Sequence, residues 1–252
     1  MKDPDGKLGL PDVTLAAVTS VAIAATIEAL KASMRQADFG EVLLLTDQAP
    51  PCDADSSIGW RQIDRLESRV DYSRFMLRTL ADHIGTKHVL CVQWDGFVLR
   101  GDAWSSRFLD YDYIGAVWPH FDDSHNVGNG GFSLRSRRLL EACKELPFDG
   151  SEAEDIVIGR LCRAQLEQQG IRFAPASLAR QFAYERTPAT GREFGFHGAF
   201  NLVRVVPTSA SLDLLRALEP GMLARNERWE ILRWALGHGR RRLAYEMLLR
   251  LL

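Results

Sequence analysis

One short apolar run constrains the fold more than any other feature of the chain. The segment His88–Val92 is almost continuously apolar, and the polar sequence Gln93-Trp94-Asp95-Gly96 follows it at once. Such a run is typical of a strand that is buried on both faces of a sheet, because a strand with one wet face alternates polar and apolar residues. We therefore predict an α/β fold in which this strand is central and Gln93 lies just past its end.

The rest of the first 145 residues alternates between predicted strands and predicted helices. The strands are expected at residues 13–18, 41–45, 88–92, 111–117 and 132–134. The helices are expected at about residues 24–36, 68–84, 136–144 and, further on, 151–169. Alternating strands and helices indicate a mostly parallel sheet flanked by helices.

The end of the chain differs in character and predicts a helical tail. From residue 225 onward, arginines alternate with large apolar residues. We expect one α/β domain at residues 9–205 and a C-terminal helical extension at residues 206–252. The apolar stripe of this tail contains Trp234, Leu243, Met247 and Leu251. Amphipathic helices usually bury such a stripe in protein, here the domain itself or a homodimer partner, although its arginines would also suit an anionic membrane surface.

Charge and cysteine usage limit the partners and the setting. The net charge is −2, so no global basic field draws the chain to nucleic acid. An acidic ligand would need a metal, arginines or backbone amides. The cysteines form no Cys-x-x-Cys pair and no zinc spacing; they are Cys52, Cys91, Cys143 and Cys162. We expect a cytoplasmic protein, placed at the inner face of the membrane if the tail binds lipid.

Asp95 is the first candidate for site chemistry. In an open α/β sheet, ligands bind outside the carboxyl ends of the strands, where Asp95 is expected. A carboxylate there can bind a hard divalent cation, which in turn neutralises a diphosphate. The alternative is that Asp95 simply starts a turn with Gly96.

A glycine-rich segment is the second candidate. Residues 129–135 read Asn-Gly-Gly-Phe-Ser-Leu-Arg. The paired glycines, Gly130 and Gly131, let a backbone approach a bound ring closely, and Arg135 could reach a phosphate or a sugar hydroxyl. A tight turn before a strand is the alternative.

Two further candidates are an acidic cluster and a histidine. Glu154 and Asp155 lie near a predicted helix start, where they either favour the helix dipole or supply a general base that deprotonates an attacking hydroxyl. His197 lies between Phe196 and Gly198 in a glycine-rich stretch. It is either a metal ligand or phosphate contact, or a surface loop histidine.

Taken together, these segments resemble the GT-A glycosyltransferases. The likeness is greatest to a glycosyltransferase-like domain-of-unknown-function family of bacterial and fungal proteins, and it covers roughly residues 12–202. Three segments carry it: Gln93-Trp94-Asp95, residues 113–118 (Tyr-Ile-Gly-Ala-Val-Trp) and residues 128–135 (Gly-Asn-Gly-Gly-Phe-Ser-Leu-Arg). The resemblance implies a GT-A-like, Rossmann-like sheet and a nucleotide-sugar site at Gln93, Trp94 and Asp95.

The resemblance also implies residue roles. Asp95 and His197 would bind the metal, and Asp155 or its neighbour Glu154 would be the catalytic base of an inverting enzyme. The remaining implied contacts to the nucleotide sugar are Thr19, Ser20, Asn129, Gly130, Gly131 and Arg135. One departure matters: Gln93 replaces the first acid of the family's Asp-x-Asp motif, so Asp95 and His197 remain as a two-ligand site for Mn²⁺ or Mg²⁺, and metal dependence that is weak or absent stays open.

We therefore expect transfer of a sugar from a nucleotide-diphosphate sugar, a UDP-sugar first, to a hydroxyl of a glycan or glycolipid in cell-surface polysaccharide synthesis. One rival is a nucleotidyltransferase on a similar sheet, but the residues after the first strand, 19–22, contain neither the glycine nor the basic residue that would grip a triphosphate. The other rival is a non-catalytic nucleotide-sugar or glycan-binding module.

Overall fold

The computed structural model describes residues 7–50, 55–219 and 221–251, so Cys52 and the first six residues lie outside the described part. The strands are β1 (Leu8–Val18), β2 (Ala37–Thr46), β3 (Gly59–Gln62), β4 (His88–Val92), β5 (Tyr113–Ile114), β6 (Phe132–Ser136), β7 (Ala183–Tyr184) and β8 (Gly195–Phe196). The helices are α1 (Ile23–Met34), α2 (Arg69–Arg78), α3 (Leu80–His83), α4 (Arg137–Cys143), α5 (Glu154–Ile156), α6 (Arg163–Gln168), α7 (Ala176–Phe182), α8 (Ala199–Val205), α9 (Thr208–Ala217), α10 (Arg225–Gly237) and α11 (Arg241–Leu249).

A six-stranded sheet in the order β3-β2-β1-β4-β6-β5 forms the centre of the fold. β1 runs parallel to β2 and β4, β2 runs parallel to β3, and β6 runs antiparallel to β4 and β5. The prediction of a mixed α/β fold with a mostly parallel sheet flanked by helices is confirmed. β1 and β4 are neighbours and parallel, so their carboxyl ends open on the same edge of the sheet.

The strand predicted at residues 88–92 has those bounds in the structure, and it is buried on both faces. Leu90 packs on one face of the sheet in the same cluster as Leu30 of α1. Val89 packs on the other face with Met76 of α2. Burial on both faces removes any need for alternating polar residues, which is why the apolar run is continuous.

Other element boundaries differ from the predictions because of contacts that are distant in sequence. β1 begins at Leu8 rather than at residue 13, since its first residues pair with Ala37 and the residues after it. The strand predicted at residues 111–117 is reduced to β5, because the chain beyond it bonds to a neighbouring loop: the Gly128 N–H donates to the carbonyl of Ala116.

The helix predicted at residues 151–169 is interrupted. It consists of α5, a π turn (Val157–Leu161) and α6. The Cys162 N–H donates to the carbonyl of Val157 at 2.8 Å, an i to i+5 bond that widens the turn. α5 therefore presents Glu154 and Asp155 from a short, separate first turn.

The C-terminal region is helical, as predicted. α8 to α11 share one apolar cluster, which contains Phe200, Leu215, Ile231, Leu243 and Met247. Leu243 and Met247 of the predicted apolar stripe are therefore buried inside the protein, while the stripe's Trp234 and Leu251 pack partly buried against the cluster. No helix in the described ranges combines the length and the apolar character needed to cross a bilayer.

Candidate functional site

A cleft lies where β1 and β4 end. Its volume is about 330 Å³. Four of its lining residues were predicted as site residues from the sequence: Thr19, Ser20, Gln93 and Trp94. Four others were not predicted: Ser68, Arg69, Tyr72 and Met222. The cleft is therefore built from two strand ends, the start of α2 and the segment before α10.

Hydrogen bonds to nearby backbone fix the floor of the cleft. The Ser20 hydroxyl accepts from the Leu66 N–H at 2.9 Å. The Thr19 hydroxyl accepts from the Val21 N–H at 3.1 Å and donates to the carbonyl of the same residue. Both side chains are buried, so they shape the cleft and hold the loop that follows β1.

Gln93 joins the cleft to a second group of polar side chains. Its amide nitrogen donates to the Tyr72 hydroxyl at 3.0 Å, and its Oε1 lies 3.2 Å from Nε2 of His197. Burial raises the pKa of Tyr72 above its usual range, so the tyrosine stays a neutral partner. The Gln93 amide, which replaces the first acid of the motif, is thus held between Tyr72 and His197.

His197 is the centre of that second group. Its Nε2 lies 3.3 Å from Oδ1 of Asp95, and its Nδ1 lies 3.2 Å from Oε1 of Glu185 and 3.2 Å from Nδ2 of Asn129. Burial alone would lower the pKa of His197, but the Asp95 and Glu185 carboxylates outweigh it and raise the pKa well above its ordinary value. We call His197, Asp95, Glu185 and Gln93 the His197 cluster.

Asp95 contributes to this cluster an oxygen that lies in an ion pair with His197 but forms no hydrogen bond of good geometry. This oxygen, Oδ1, is buried and faces Nε2 of His197. Within the described ranges, no group of three or more His, Cys, Asp or Glu side chains is arranged as a metal site. Any cation held by the His197 cluster would therefore bind to one acid, one imidazole and the neutral amide of Gln93.

Two glycines let the backbone pass against the site. A Cβ on Gly131 would lie 2.1 Å from Nε2 of His197, so only glycine fits beneath the imidazole ring. A Cβ on Gly130 would lie 2.2 Å from Oε1 of Glu154. Asn129, just before them, has a left-handed φ of 63°, which Asn tolerates better than most residues. Gly130 therefore lies against Glu154, and Gly131 lies against the His197 cluster.

Arg135 lies in the interior rather than on the cleft. Its side chain is 0% exposed, and its Nη2 lies 2.9 Å from Oε1 of Glu154. It also donates from Nε to the Ser133 hydroxyl at 3.0 Å. The guanidinium expected to reach a phosphate or sugar hydroxyl is thus bonded to protein groups beneath the 129–135 segment.

The two candidate bases, Glu154 and Asp155, have different surroundings. Burial raises the pKa of Glu154, and the neighbouring Asp155 charge adds to the rise, while Arg135 opposes it. Asp155 is only partly buried; its Oδ2 accepts from the Gly130 N–H and its Oδ1 from the Ile156 N–H, each at 2.9 Å. Each Asp155 oxygen keeps a second lone pair for another donor.

Sequence reasoning missed Glu185 and Tyr72. β7 and β8 are parallel and pair Tyr184 with Phe196, so the next residue on each strand, Glu185 and His197, lie side by side. Neither strand has more than two residues, and nothing in the sequence marks them as partners. Tyr72 lies in the helix that was predicted at about residues 68–84, and nothing in the sequence indicated its contact with Gln93.

Comparisons with known proteins give similar structures and a family. The galactosyltransferase LgtC in complex with donor and acceptor sugar analogues is similar with a TM-score of 0.45 and 10% identity over 86% of this chain and 99% of that one. An active-site mutant of LgtC gives 0.48 and 12% over the same shares, and the apo-form glycosyltransferase GlyE of Streptococcus pneumoniae TIGR4 gives 0.46 and 11% over 74% of this chain and 54% of its own. No curated protein sequence matches. Residues 60–197, more than half of the chain, match one family, and the chain belongs to it: the family described as "Protein of unknown function (DUF5672)".

Proposed function

We propose that the chain is a glycosyltransferase that moves a sugar from a nucleotide-diphosphate sugar, a UDP-sugar first, to a hydroxyl of a glycan or glycolipid. One observation carries the proposal: Oδ1 of Asp95, Nε2 of His197 and Oε1 of Gln93 converge beside a cleft at the carboxyl ends of β1 and β4. The sequence resemblance to GT-A glycosyltransferases supplies the reaction class.

We propose that the His197 cluster takes a divalent cation in place of the proton on Nε2 of His197, because the imidazole must be neutral there to bind a metal. The separations of 3.3 Å and 3.2 Å from Nε2 of His197 to the Asp95 and Gln93 oxygens are close to the roughly 3 Å expected between adjacent ligands of an octahedral ion. Oδ1 of Asp95 forms no hydrogen bond of good geometry, which supports this assignment, and Glu185 on the other imidazole nitrogen would orient the ring. Mn²⁺ or Mg²⁺ held there would neutralise the leaving diphosphate.

Asp155 is the proposed base. The acceptor hydroxyl gives its proton to Asp155 as its oxygen bonds to the anomeric carbon, and the bond from that carbon to the diphosphate breaks. Attack from the face opposite the leaving group inverts the configuration. Glu154 is unsuited to this role, because its carboxylate is buried and bound to Arg135.

The cleft would hold the nucleotide. Thr19 and Ser20 are positioned at its floor, and Tyr72 and Arg69 at its wall. Gln93 touches both Tyr72 and His197, so a nucleotide in the cleft would have its diphosphate beside the His197 cluster.

Thermal-shift screening with nucleotides and nucleotide sugars would identify the donor class, and nucleotide release from UDP-, GDP- and CMP-sugars with Mn²⁺ would measure turnover.

We expect Asp155→Asn to lower turnover by about 10²–10⁴-fold, the range for a general base. Glu152→Gln, an exposed acid nearby, is the matched control and should retain activity. Binding without turnover for every donor would instead identify a non-catalytic module, and pyrophosphate release from a nucleoside triphosphate would identify a nucleotidyltransferase.

A further inference from the structure

The exposed large apolar side chains of the described residues are concentrated on the last two helices. Five of the seven belong to α10 and α11: Trp229, Leu236, Tyr245, Leu248 and Leu249. Leu236 is 63% exposed and Tyr245 is 64% exposed. Single exposed apolar residues are ordinary, but a group of them on one hairpin marks an interaction surface.

Arginines without a partner accompany these apolar residues. Five arginines of this region are exposed, and none forms an ion pair with another described residue: Arg225, Arg233, Arg240, Arg241 and Arg242. The acids of the two helices already have partners: Glu230 binds Arg186 and Arg204, Glu246 binds Arg216 and Arg250, and Glu227 accepts a hydrogen bond from the Ala224 N–H. The region is therefore locally cationic, although the whole chain has a net charge of −2.

Exposed arginines and exposed apolar residues lie on the same face of each helix. On α10, Trp229, Arg233 and Leu236 are spaced by four and three residues, which places them on one side of the helix. On α11, Arg241, Tyr245 and Leu248 have the same spacing. Only three residues join the two helices, which pack against each other as a hairpin. We call these exposed faces the α10–α11 surface.

We propose that the α10–α11 surface binds an anionic lipid bilayer. Guanidinium groups pair with lipid phosphates, and the tyrosine, tryptophan and leucine side chains enter the boundary between headgroups and acyl chains. The buried stripe of the same helices, with Leu243 and Met247, is already covered by protein, so the exposed set is a second, separate apolar face.

Charge argues against two other occupants. In a two-fold homodimer the same patch would face itself, which would set the arginines of one copy against those of the other. A nucleic acid would neutralise the arginines but would leave Leu236, Leu248 and Leu249 without an apolar partner. A bilayer with anionic headgroups satisfies both kinds of residue.

Membrane binding would also bear on the acceptor of the proposed reaction. Met222, which lines the cleft, immediately precedes the α10–α11 hairpin, and Trp94 packs against the same helical cluster. Because the hairpin adjoins the cleft, a lipid-linked acceptor is the acceptor class that docking favours; this consequence rests on the proposed function, whereas the binding itself does not.

Flotation with phosphatidylcholine vesicles, with and without phosphatidylglycerol, tests the proposal without any activity assay. We expect binding only to the anionic vesicles and weaker binding as salt increases. The triple variant R233E/R241E/R242E should weaken binding to the anionic vesicles on the order of a hundredfold, because each arginine near an anionic surface adds to the binding free energy and each glutamate is repelled by it. R35E/R107E/R180E makes the same change in net charge at three exposed arginines elsewhere and should bind as the wild type does.

The contribution of the apolar side chains to vesicle binding is tested by a second pair of variants. Leu236→Ser should weaken binding about tenfold, whereas Leu161→Ser, at an equally exposed leucine outside the hairpin, should have no effect. Circular dichroism would verify that each variant is folded. Absence of binding by the wild type, equal binding to neutral vesicles, equal losses in the two triple variants, or a dimer in sedimentation that Leu236→Ser dissociates would each overturn the proposal.

Discussion

Two groups of charged side chains contact the same glycine-rich segment, and they are built differently. In the buried pair, Arg135 and Glu154 are 0% and 5% exposed and lie 2.9 Å apart. In the His197 cluster, the side chains of His197, Asp95 and Glu185 are 10–15% exposed, and one Asp95 oxygen lacks a hydrogen-bond partner. Each group leaves one buried polar atom without a hydrogen-bond partner, Nη1 of Arg135 in the first and Oδ1 of Asp95 in the second, but only the second lies beside the cleft and leaves an acceptor open.

This difference separates a structural role from a ligand-binding one. A buried charge whose partner is removed remains in the interior without compensation, so it lowers the free energy of unfolding. A carboxylate at the edge of a cleft can lose its charge with less effect on folding, but it then loses its attraction for a cation. Variants of the two groups should therefore affect different measurements.

Arg135→Met should have the largest effect, and it should act on stability. It leaves the Glu154 carboxylate buried without its cation, which typically costs about 3–5 kcal/mol of unfolding free energy. Urea denaturation followed by circular dichroism would measure the change. Arg107→Met, at an exposed arginine, is the control and should cost less than about 0.5 kcal/mol. A loss below 1 kcal/mol for Arg135→Met would show that the pair is not structural.

Asp95→Asn should have the next largest effect, and it should act on turnover. Removing the charge from the proposed cation site should lower nucleotide release by about 100-fold, or roughly 2.7 kcal/mol. The unfolding free energy should change less than in Arg135→Met, because the asparagine keeps the shape of the side chain and His197 keeps Glu185 as its acidic partner. Full activity in this variant would make the metal assignment wrong, and a large loss of stability would place Asp95 with the buried pair.

The sequence predicted the elements whose patterns are local. The strand at β4 was predicted with its observed bounds because burial on both faces leaves a continuous apolar run. The position of Gln93 at the carboxyl edge of the sheet followed from that strand, whereas Thr19, which also lines the cleft, was named only through the family resemblance.

The same reasoning could not place Arg135 or Glu185. All five residues of β6 are buried, so Arg135 points inward, and its ion pair with Glu154, nineteen residues later, together with hydrogen bonds to Ser133 and Gly130 makes that tolerable. Glu185 reaches His197 through a pairing of two-residue strands, which carries no periodic signal. Both cases depend on contacts between distant segments rather than on local pattern.

Glu185→Gln should have the smallest effect, and it refines the comparison within the His197 cluster. The amide still accepts a hydrogen bond from Nδ1 of His197 but loses the charge that strengthens the imidazole as a ligand. Mn²⁺ affinity should fall about tenfold, or roughly 1.4 kcal/mol, while affinity for the free nucleotide stays constant. Glu185→Leu also removes the acceptor and should lower Mn²⁺ affinity closer to a hundredfold.

Titration of the protein with Mn²⁺, monitored by calorimetry, would rank these variants against Glu28→Gln, an exposed acid on α1 that should behave as the wild type. A purely structural Glu185 would lower stability and nucleotide affinity together in both variants. A positioning role requires the metal affinity to fall in two steps, first with the charge and then with the hydrogen bond. Equal Mn²⁺ affinity in the wild type and both Glu185 variants would mean that His197 needs no oriented partner, and the His197 cluster would then lose its distinction from an ordinary buried ion pair.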